Sequence, residues 1–419
     1  MNIPFSPPFI DQAVIDEVLH SLHTNWITSG PKVKALESEI LELTGADAAI
    51  CVNSWTSGAI LTLKWYGVGE GDEVIVPAYS YCATALCVLH CGATPVMVDI
   101  LDDFTIDPEM VKSKITSKTK AIIAVDIAGL PCLYNELMSI VNDTEYQSLF
   151  VPGSGRQALL GRILLIADAA HSIGSNFDQL PASRKSDVTI FSFHAVKNIT
   201  TAEGGCICLN LPECFDNQEE YRFLKLFSMN GQNKDAFAKS TGANWRYDIL
   251  FKGFKMNMPD ICAAIGLAQV RKYKNTLLPL RKQVFMKYCA AFDAYDWFIK
   301  PVMEDEHRES SCHIFPLRVN DITEAQRDRV IDELVALGII VNVHFMPMPM
   351  LTYFKSIGYE IEHYPNSYKQ YSCEISLPIY PQLSETEIDY IISSVVSCVR
   401  LVKGIVLLND INELVKISL

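Results

Sequence analysis

A lysine and an aspartate, each at the end of an apolar segment, have the clearest chemical potential in this sequence. Lys197 follows the apolar run Val188–Phe193, and Asp168 ends the run that begins at Ile163. A lysine that is desolvated near another cation becomes nucleophilic, because its pKa falls. A carboxylate in an apolar site needs a partner, since burying an unpaired charge is costly. Ordinary interpretations stay open: a solvated surface position for Lys197, and a helix cap or a buried arginine partner for Asp168.

Two further segments carry groups suited to a phosphate and to a planar ring. In Asn53–Gly58, hydroxyl side chains precede a predicted helix, and a helix start offers free backbone N–H groups to a phosphate. Ser54 or Thr56 can equally serve as an ordinary helix N-cap. The segment Pro77–Tyr81 carries aromatic side chains that can cover a ring face or simply pack in the core.

The order of these features points to one cofactor. A phosphate loop, an aromatic segment, Asp168, and then Ser192 with Lys197 each lie at the carboxyl end of a predicted strand. Pyridoxal phosphate (PLP) needs a phosphate cradle, a surface for its ring, an anion at the pyridine nitrogen and a lysine for a Schiff base. Ligands of parallel α/β sheets bind at the carboxyl ends of the strands. We therefore predict a PLP site at that edge of the sheet.

The elements that position these residues have the pattern of an α/β domain. Short apolar runs alternate with helical segments, and the runs are apolar throughout, as strands buried on both faces are. We predict a large domain over 1–270, in which helices sandwich a mainly parallel seven-stranded sheet. Its predicted strands are Ala48–Val52, Glu73–Pro77, Pro95–Asp99, Ala121–Asp126, Ile163–Ala167, Val188–Phe193 and Gly205–Leu209.

The pattern changes after residue 270. Charged helices, predicted over 271–292 and 323–337, alternate with strands such as His313–Val319 and Ile339–Val343. We predict a smaller α+β C-terminal domain over 271–419.

Composition argues against several other classes of protein. The 419 residues include 35 lysines and arginines against 49 aspartates and glutamates, a net charge of −14. This balance, without a recognised motif, argues against nucleic-acid binding. The 13 cysteines are spread through apolar segments without a C-x-x-C pair, which favours a reducing compartment over a metal site. No apolar run approaches the roughly 20 residues of a membrane span, and the N-terminus does not resemble a signal peptide. We expect a cytoplasmic protein with no metal and no membrane partner.

One segment imitates a dinucleotide-binding motif. Gly153–Ala158 fits the pattern G-x-G-x-x-A, but the next predicted strand begins near Ile163. Too few residues remain for the helix whose N-terminus would bind a pyrophosphate. We interpret the segment as a loop.

Taken in order, these motifs resemble those of the DegT/DnrJ/EryC1/StrS family of sugar aminotransferases, which has the fold-type I architecture of the aspartate aminotransferase superfamily. The similarity runs from about Gly30 to about Leu383. The matching stretches are Ser29–Pro31, Gly71–Pro77, Cys91–Val96, the segments around Asp168 and Lys197, Asp260–Gln269 and Leu377–Pro378.

The resemblance implies roles at the cofactor ring. Lys197 resembles the lysine that carries PLP and moves the substrate proton. Asp168 resembles the carboxylate that keeps the pyridine nitrogen protonated. His171 lies where the family places a residue near the ring hydroxyl, and Tyr81 matches the aromatic residue that stacks on the ring.

The resemblance also implies phosphate contacts and a dimer. Thr56, Ser57 and Ser192 match the family's phosphate-binding residues. Lys255 stands where the family has an asparagine or a lysine that reaches the phosphate of the neighbouring subunit. A homodimer with shared active sites is therefore implied.

The implied reaction moves an amino group, with glutamate as the expected donor, to a keto group of a nucleotide-linked sugar. A UDP-linked 4-keto-6-deoxy sugar is the first expectation and a dTDP-linked 3-keto sugar the second, for surface polysaccharide assembly. Alternatives are a PLP-dependent sugar dehydratase, whose family branch has histidine in place of Lys197, and a regulator without catalysis. Trp55, the long connection over 142–161, and Met348 in a region where a second histidine is common depart from the family pattern.

Overall fold

The computed structural model describes residues 1–233 and 246–404. Within these ranges, thirteen strands form one seven-stranded and two three-stranded sheets. The strands are β1 (Ala48–Val52), β2 (Glu73–Pro77), β3 (Thr94–Val98), β4 (Thr119–Val125), β5 (Leu164–Asp168), β6 (Asn176–Phe177), β7 (Leu180–Pro181), β8 (Val188–Ser192), β9 (Gly205–Leu209), β10 (Phe298–Ile299), β11 (Arg308–Glu309), β12 (Phe315–Val319) and β13 (Glu374–Leu377).

The described helices lie on both sides of the large sheet and around the C-terminal strands. They are α1 (Gln12–His23), α2 (Pro31–Thr44), α3 (Trp55–Tyr66), α4 (Ala83–His90), α5 (Pro108–Lys114), α6 (Tyr134–Asn142), α7 (Thr144–Leu149), α8 (Gly155–Leu160), α9 (Asn217–Phe227), α10 (Asp260–Lys272), α11 (Leu278–Phe292), α12 (Glu324–Ala336), α13 (Thr352–Ser356), α14 (Pro365–Cys373) and α15 (Glu385–Lys403). None of these helices is long and apolar enough to cross a membrane.

The large sheet has the strand order β1-β9-β8-β5-β4-β2-β3. Only β9 runs against the other six strands, because it pairs antiparallel with both β1 and β8. The carboxyl ends of β1, β2, β4, β5 and β8 therefore meet at one edge of the sheet. The prediction of a mainly parallel seven-stranded sheet is confirmed.

Alternate residues of the strands pack against two different layers of helices. In β1, Ile50 and Val52 belong to the core beneath α3 and α4, whereas Ala49 and Cys51 belong to the core beneath α2 and α10. All five residues of this strand are buried. Burial on both faces explains why the strand segments are apolar without alternation.

The C-terminal part builds a second core around the antiparallel sheet β10-β12-β13. Side chains of α11, α12 and α15 pack on this sheet. Ile3 joins the same core, and its N–H donates to the Gly338 carbonyl at 2.8 Å. The N-terminal residues thus lie with the small sheet, while a domain boundary near residue 270 stays a prediction.

Three local predictions were wrong. Ile339–Val343 is not a strand, because only single bridges form there, at Ile339 and at Asn342. The segment predicted as a loop contains α8, since Ser154 caps the helix by accepting from the Gln157 N–H and one short helix fits before β5. The helix predicted over 271–292 instead divides into the end of α10, a π-helical turn over Tyr273–Leu277, and α11.

Candidate active site

A cavity of about 430 Å³ opens at the carboxyl edge of the large sheet, a size common for small-molecule sites. Its lining comes from both parts of the chain, because His344 and Phe345 precede the small sheet strand β13. Six of the eight residues proposed from sequence line it: Thr56, Tyr81, Asp168, His171, Ser192 and Lys197. Ser57 and Lys255 do not.

Asp168 is the last residue of β5 and is 4% exposed. Its Oδ2 accepts a hydrogen bond from the Thr84 hydroxyl at 2.9 Å, and its Oδ1 accepts one from the Ala170 N–H at 3.3 Å. Within the described ranges no arginine pairs with this carboxylate. Burial raises the pKa of Asp168 to about 7, although these donors and the Lys197 ammonium oppose the rise. A buried carboxylate that forms no ion pair with a described residue fits a protonated ring nitrogen.

Lys197 lies in the turn after β8, on the wall of the cavity. Its ammonium makes no hydrogen bond or ion pair with any residue that the structure describes. Burial lowers the pKa of Lys197 to about 8, and the Asp168 carboxylate acts in the opposite direction. The lysine is thus half-buried in the cavity, where a larger fraction of it is neutral and nucleophilic than on an open surface.

The N-terminus of α3 points into the same space. Ser54 caps the helix by accepting from the Ser57 N–H at 3.1 Å, and it also lines the cavity. The first amides of a helix have no partner inside the helix, so they can bind an anion. Ser57 does not line the cavity, and its hydroxyl accepts from the Ser54 hydroxyl at 2.9 Å. Capping by Ser54 therefore leaves this turn able to bind an anion as well.

Two features fix this helix start against the sheet. The Trp55 indole N–H donates to the Ile190 carbonyl of β8 at 3.1 Å, and Trp55 is 6% exposed. Gly205 permits the close approach, since a Cβ at this position would lie 2.8 Å from the backbone of Ser54 and Trp55. Ser192, at the end of β8, completes this part of the wall.

His171 is buried beside two other aromatic residues. Its Nδ1 accepts from the Ala128 N–H at 3.2 Å, which leaves the proton of the neutral ring on Nε2. Burial and nearby positive charge hold the pKa of His171 well below its usual range. Its ring lies 4.5 Å from that of His313 and stacks on Phe345 at 5.9 Å. His171 is therefore a neutral hydrogen-bond donor at neutral pH.

The two tyrosines after β2 take different positions. Tyr79 is fully buried and donates to the His344 carbonyl at 2.7 Å. Tyr81 is 61% exposed, lines the cavity, and lies 6.0 Å from the Phe345 ring. One tyrosine is a core residue, and the other is free to cover a ligand ring.

Lys255 lies near the same edge but outside the cavity of its own chain. It is exposed, and the following residue, Met256, accepts from the Asn53 N–H at 2.9 Å beyond the end of β1. A bridge between Val52 and Asn257 holds this segment beside β1.

Several residues at the site escaped the sequence reasoning. The Thr84 hydroxyl donates to the Asp168 carboxylate and lies 2.8 Å from the Ser80 hydroxyl. The spacing of four residues between Ser80 and Thr84 could have indicated that their hydroxyls meet. His344 enters the cavity from the C-terminal part, and Ser376 contacts its ring at 2.9 Å. For the cluster of His344 and Ser376, the sequence offered one signal, which is the charged residue Glu374 at the start of an apolar strand segment.

The sheet order is that of the fold-type I PLP-dependent enzymes, and a cavity with a buried aspartate and a lysine at the carboxyl edge is compatible with that class. The model of the DegT/DnrJ/EryC1/StrS aminotransferase family matches residues 8–151 and 156–396. The chain belongs to this family, and its cofactor is PLP. The interruption of the match at 152–155 falls within the connection over 142–161, which is interpreted as long from the sequence.

Named relatives agree with this assignment. Spr1654 of Streptococcus pneumoniae, described as a sugar aminotransferase, superimposes in its pyridoxamine phosphate form with a TM-score of 0.91 at 41% identity, covering 96% of this chain and 100% of that one. PseC of Helicobacter pylori, an aminotransferase involved in the biosynthesis of pseudoaminic acid, gives 0.82 at 25% identity, with coverage of 96% and 100%. The spore coat polysaccharide biosynthesis protein SpsC of Bacillus subtilis is 31% identical over 405 residues, 95% of this chain and 97% of SpsC.

Proposed function

We propose that this protein transfers an amino group from glutamate to the keto group of a nucleotide-linked sugar, as a homodimer with shared active sites. The observation that carries the proposal is the pair Lys197 and Asp168 on one cavity, with the N-terminus of α3 at the same edge. These three features correspond to the lysine, the anion and the phosphate site that PLP requires.

Each residue then has a task that its surroundings support. When bound, PLP supplies an electron sink for the carbon that loses a proton. Lys197 would hold the cofactor covalently and, once released, move the proton from its half-buried nitrogen. Asp168 would keep the ring nitrogen protonated, because a cation beside it relieves the cost of its burial. His171 would donate from Nε2 to the ring hydroxyl, and Tyr81 would cover one ring face.

The phosphate would lie against the first amides of α3 and the hydroxyls of Thr56 and Ser192. Lys197 is the only lysine or arginine among the described residues that line the cavity, and the cofactor would consume its charge. A dianionic phosphate needs another cation nearby. Lys255 is exposed close to this edge yet outside its own cavity, which supports a role at the neighbouring subunit's phosphate.

The relatives support a sugar as the amino acceptor. SpsC is named for polysaccharide biosynthesis, and PseC for the biosynthesis of pseudoaminic acid. We propose a UDP-linked 4-keto-6-deoxy sugar as substrate, a dTDP-linked 3-keto sugar as the alternative, and surface polysaccharide assembly as the destination. No observation favours a dehydratase or a regulator, since Lys197 and Asp168 are both present.

The first test is the absorbance spectrum of the purified protein before and after excess glutamate. We expect a band of protein-bound PLP that shifts when glutamate donates its amino group. Restoration of the band by a UDP-linked 4-keto-6-deoxy sugar, but not by the matching 4-hydroxy sugar, would support the acceptor. A colourless protein that PLP cannot reconstitute would contradict the function.

Mixing two inactive variants tests the shared site. The Lys197→Ala and Lys255→Ala chains are co-expressed, or unfolded and refolded together. The mixture should recover up to about a quarter of wild-type activity, because half of the dimers contain one chain of each kind and each of these dimers holds one intact site. As a control, the Lys197→Ala variant treated in the same way without the second variant should stay inactive. No recovery in the first mixture would place Lys255 outside the shared site.

A further inference from the structure

A hydrogen-bonded chain of three residues leads from the interior of the small sheet to the cavity. Glu374 and Ser376 are 0% exposed and lie two residues apart on β13. The Ser376 hydroxyl donates to Glu374 Oε1 at 2.5 Å and lies 2.9 Å from His344 Nδ1. The backbone N–H of His344 donates to Glu374 Oε2 at 3.0 Å. Both carboxyl oxygens are thus occupied by His344 or by the hydroxyl that contacts it.

This chain allows two arrangements of its protons. With Glu374 ionised, Ser376 donates to the carboxylate and accepts from Nδ1–H, so His344 presents a lone pair on Nε2. With Glu374 protonated, the carboxyl donates to Ser376, which donates to Nδ1, so His344 presents Nε2–H. The two arrangements differ by one proton, and that difference is exposed at Nε2.

His344 is placed to pass this proton to a ligand. Its ring lines the cavity, and Nε2 makes no hydrogen bond to any described part of the chain. Phe5 stacks on the ring at 5.4 Å and restricts its rotation. Burial and the Lys197 ammonium lower the pKa of His344 to about 3. The ring therefore stays neutral and can transmit a proton only by exchanging one tautomer for the other.

We propose that Glu374, Ser376 and His344 form a proton relay that serves the oxygen leaving the keto substrate. The relay depends on the proposed function, because its proton acceptor is the substrate of that reaction. His344 is the catalytic residue, since it touches the ligand space, and Glu374 and Ser376 are positioning residues that set its tautomer.

The proton balance of the step closes without an outside reactant. When an amine condenses with a ketone, the C–O bond breaks with its electron pair on oxygen, and the oxygen leaves as water. His344 gives its Nε2 proton to that oxygen, Nδ1 takes the Ser376 proton, and Ser376 takes the Glu374 proton. The amine nitrogen gives up two protons in all: one passes to the ketone oxygen as the C–N bond forms and makes it a hydroxyl, and the other passes to His344 Nε2 as the C=N bond forms. The hydroxyl leaves as water with the proton that His344 gave, and the returned proton restores the relay.

Burial favours a Glu374 carboxyl that holds its proton near neutral pH, against the positive charges around it. Burial raises the pKa of Glu374 to about 8, while its two hydrogen bonds and the buried guanidinium groups oppose the rise. The titratable and charged groups that act on the relay are Arg318, Arg327, Tyr79 and Cys373 near Glu374, and Lys197, His171 and His313 near His344. Glu374 is thus protonated below about pH 8 and can lend its proton there.

The test reads the tautomer of His344 directly, from ¹⁵N chemical shifts of the cofactor-free protein labelled at histidine. As the pH rises through about 8, wild-type His344 should change from the Nε2–H to the Nδ1–H form. In Glu374→Gln, the amide oxygen accepts from the backbone N–H of His344. The NH₂ group of the glutamine must therefore donate to the Ser376 hydroxyl. That variant should stay in the Nε2–H form at every pH.

Two further variants keep the test decisive if Glu374→Gln folds poorly. Ser376→Ala interrupts the chain without changing charge and should abolish the pH response. Tyr79→Phe is the matched control, because it removes a hydrogen bond to the His344 carbonyl but leaves the ring contacts in place. It should keep the wild-type response. A tautomer that ignores both pH and the Glu374 substitution would overturn the relay.

The kinetic part uses the pyridoxamine phosphate form and the keto sugar in single turnovers. Glu374→Gln should slow this step by about a hundredfold, a typical contribution of proton transfer, with unchanged PLP content. A rate near wild type would overturn the relay even if the tautomer responds to pH. Failure of the proposed function is distinguishable, since it would abolish sugar turnover in wild type and leave the tautomer measurement intact.

Discussion

Replacing Asp168 with asparagine tests the proposed anion at the ring nitrogen. The substitution should preserve the local structure, because the asparagine oxygen can accept from the Ala170 N–H and its NH₂ can donate to Thr84. The Thr84 hydroxyl then still has Ser80 as a partner, 2.8 Å away. Only the negative charge beside the ring nitrogen is lost.

The size of the effect follows from the electrostatics of a close ion pair. Opposite unit charges about 3 Å apart attract by about 5 kcal/mol at an effective dielectric constant of about 20. Asp168 is 4% exposed, so solvent screens little of this attraction. If the ring nitrogen loses its proton in the variant, amino-group transfer should slow by about 10³- to 10⁴-fold.

Stopped-flow absorbance with glutamate measures this rate in a single turnover. Asp126→Asn is the matched control, because Asp126 is another buried carboxylate that accepts from Tyr134 and Ser172 and lies outside the cavity lining. The control should stay within about tenfold of wild type. If Asp168→Asn bound PLP normally and also stayed within tenfold, the charge at Asp168 would have no catalytic role.

Three other experiments test neighbouring parts of the site. Lys197→Ala should abolish transamination while circular dichroism shows an intact fold; normal turnover would remove Lys197 from catalysis. Thr84→Val should slow glutamate turnover by about tenfold, because it removes a hydrogen bond to a charged group, and Thr84→Ser should restore it; equal rates would make Thr84 structural only. Burial raises the pKa of Asp168 from 3.8 to about 7, so its share of stability is present below pH 4 and is lost as the pH rises through 7. Cofactor-free Asp168→Asn should therefore exceed wild type in unfolding free energy by on the order of 4 kcal/mol at pH 8, with no difference near pH 3; a constant difference in urea titrations would contradict the assigned pKa.

The sequence predicted the position of a site residue well when that residue directly follows a strand of the large sheet. Asp168 and Lys197 follow buried parallel strands, and the carboxyl ends of such strands share one edge, so their convergence follows from the topology. The same reasoning locates Ser192 and the first turn of α3, where Thr56 lies. Periodicity and strand order therefore predicted the sheet and the edge at which six of the eight proposed residues line the cavity.

Contacts between distant segments could not be predicted in this way. Glu374 and Ser376 reach His344 only after β13 pairs with β12 and Asn342 forms its bridge to Ser376. Local pattern carries no information about which buried polar residues will meet. A recognised motif also does not fix the direction of each side chain. The segment Asn53–Gly58 was identified, but the Ser57 hydroxyl contacts Ser54.

Burial links the stability of this fold to its chemistry. One apolar environment raises the pKa of Asp168 to about 7 and lowers that of Lys197 to about 8, so the acid and the base hold protons with nearly equal strength when no cofactor is bound. Each charge is therefore only weakly stabilised by the protein alone. A bound ring nitrogen would supply the ion-pair partner that Asp168 lacks, and a covalent bond to the ring would remove the bare ammonium of Lys197. Asp168 and Lys197 are thus two groups whose buried charges the cofactor would balance or remove.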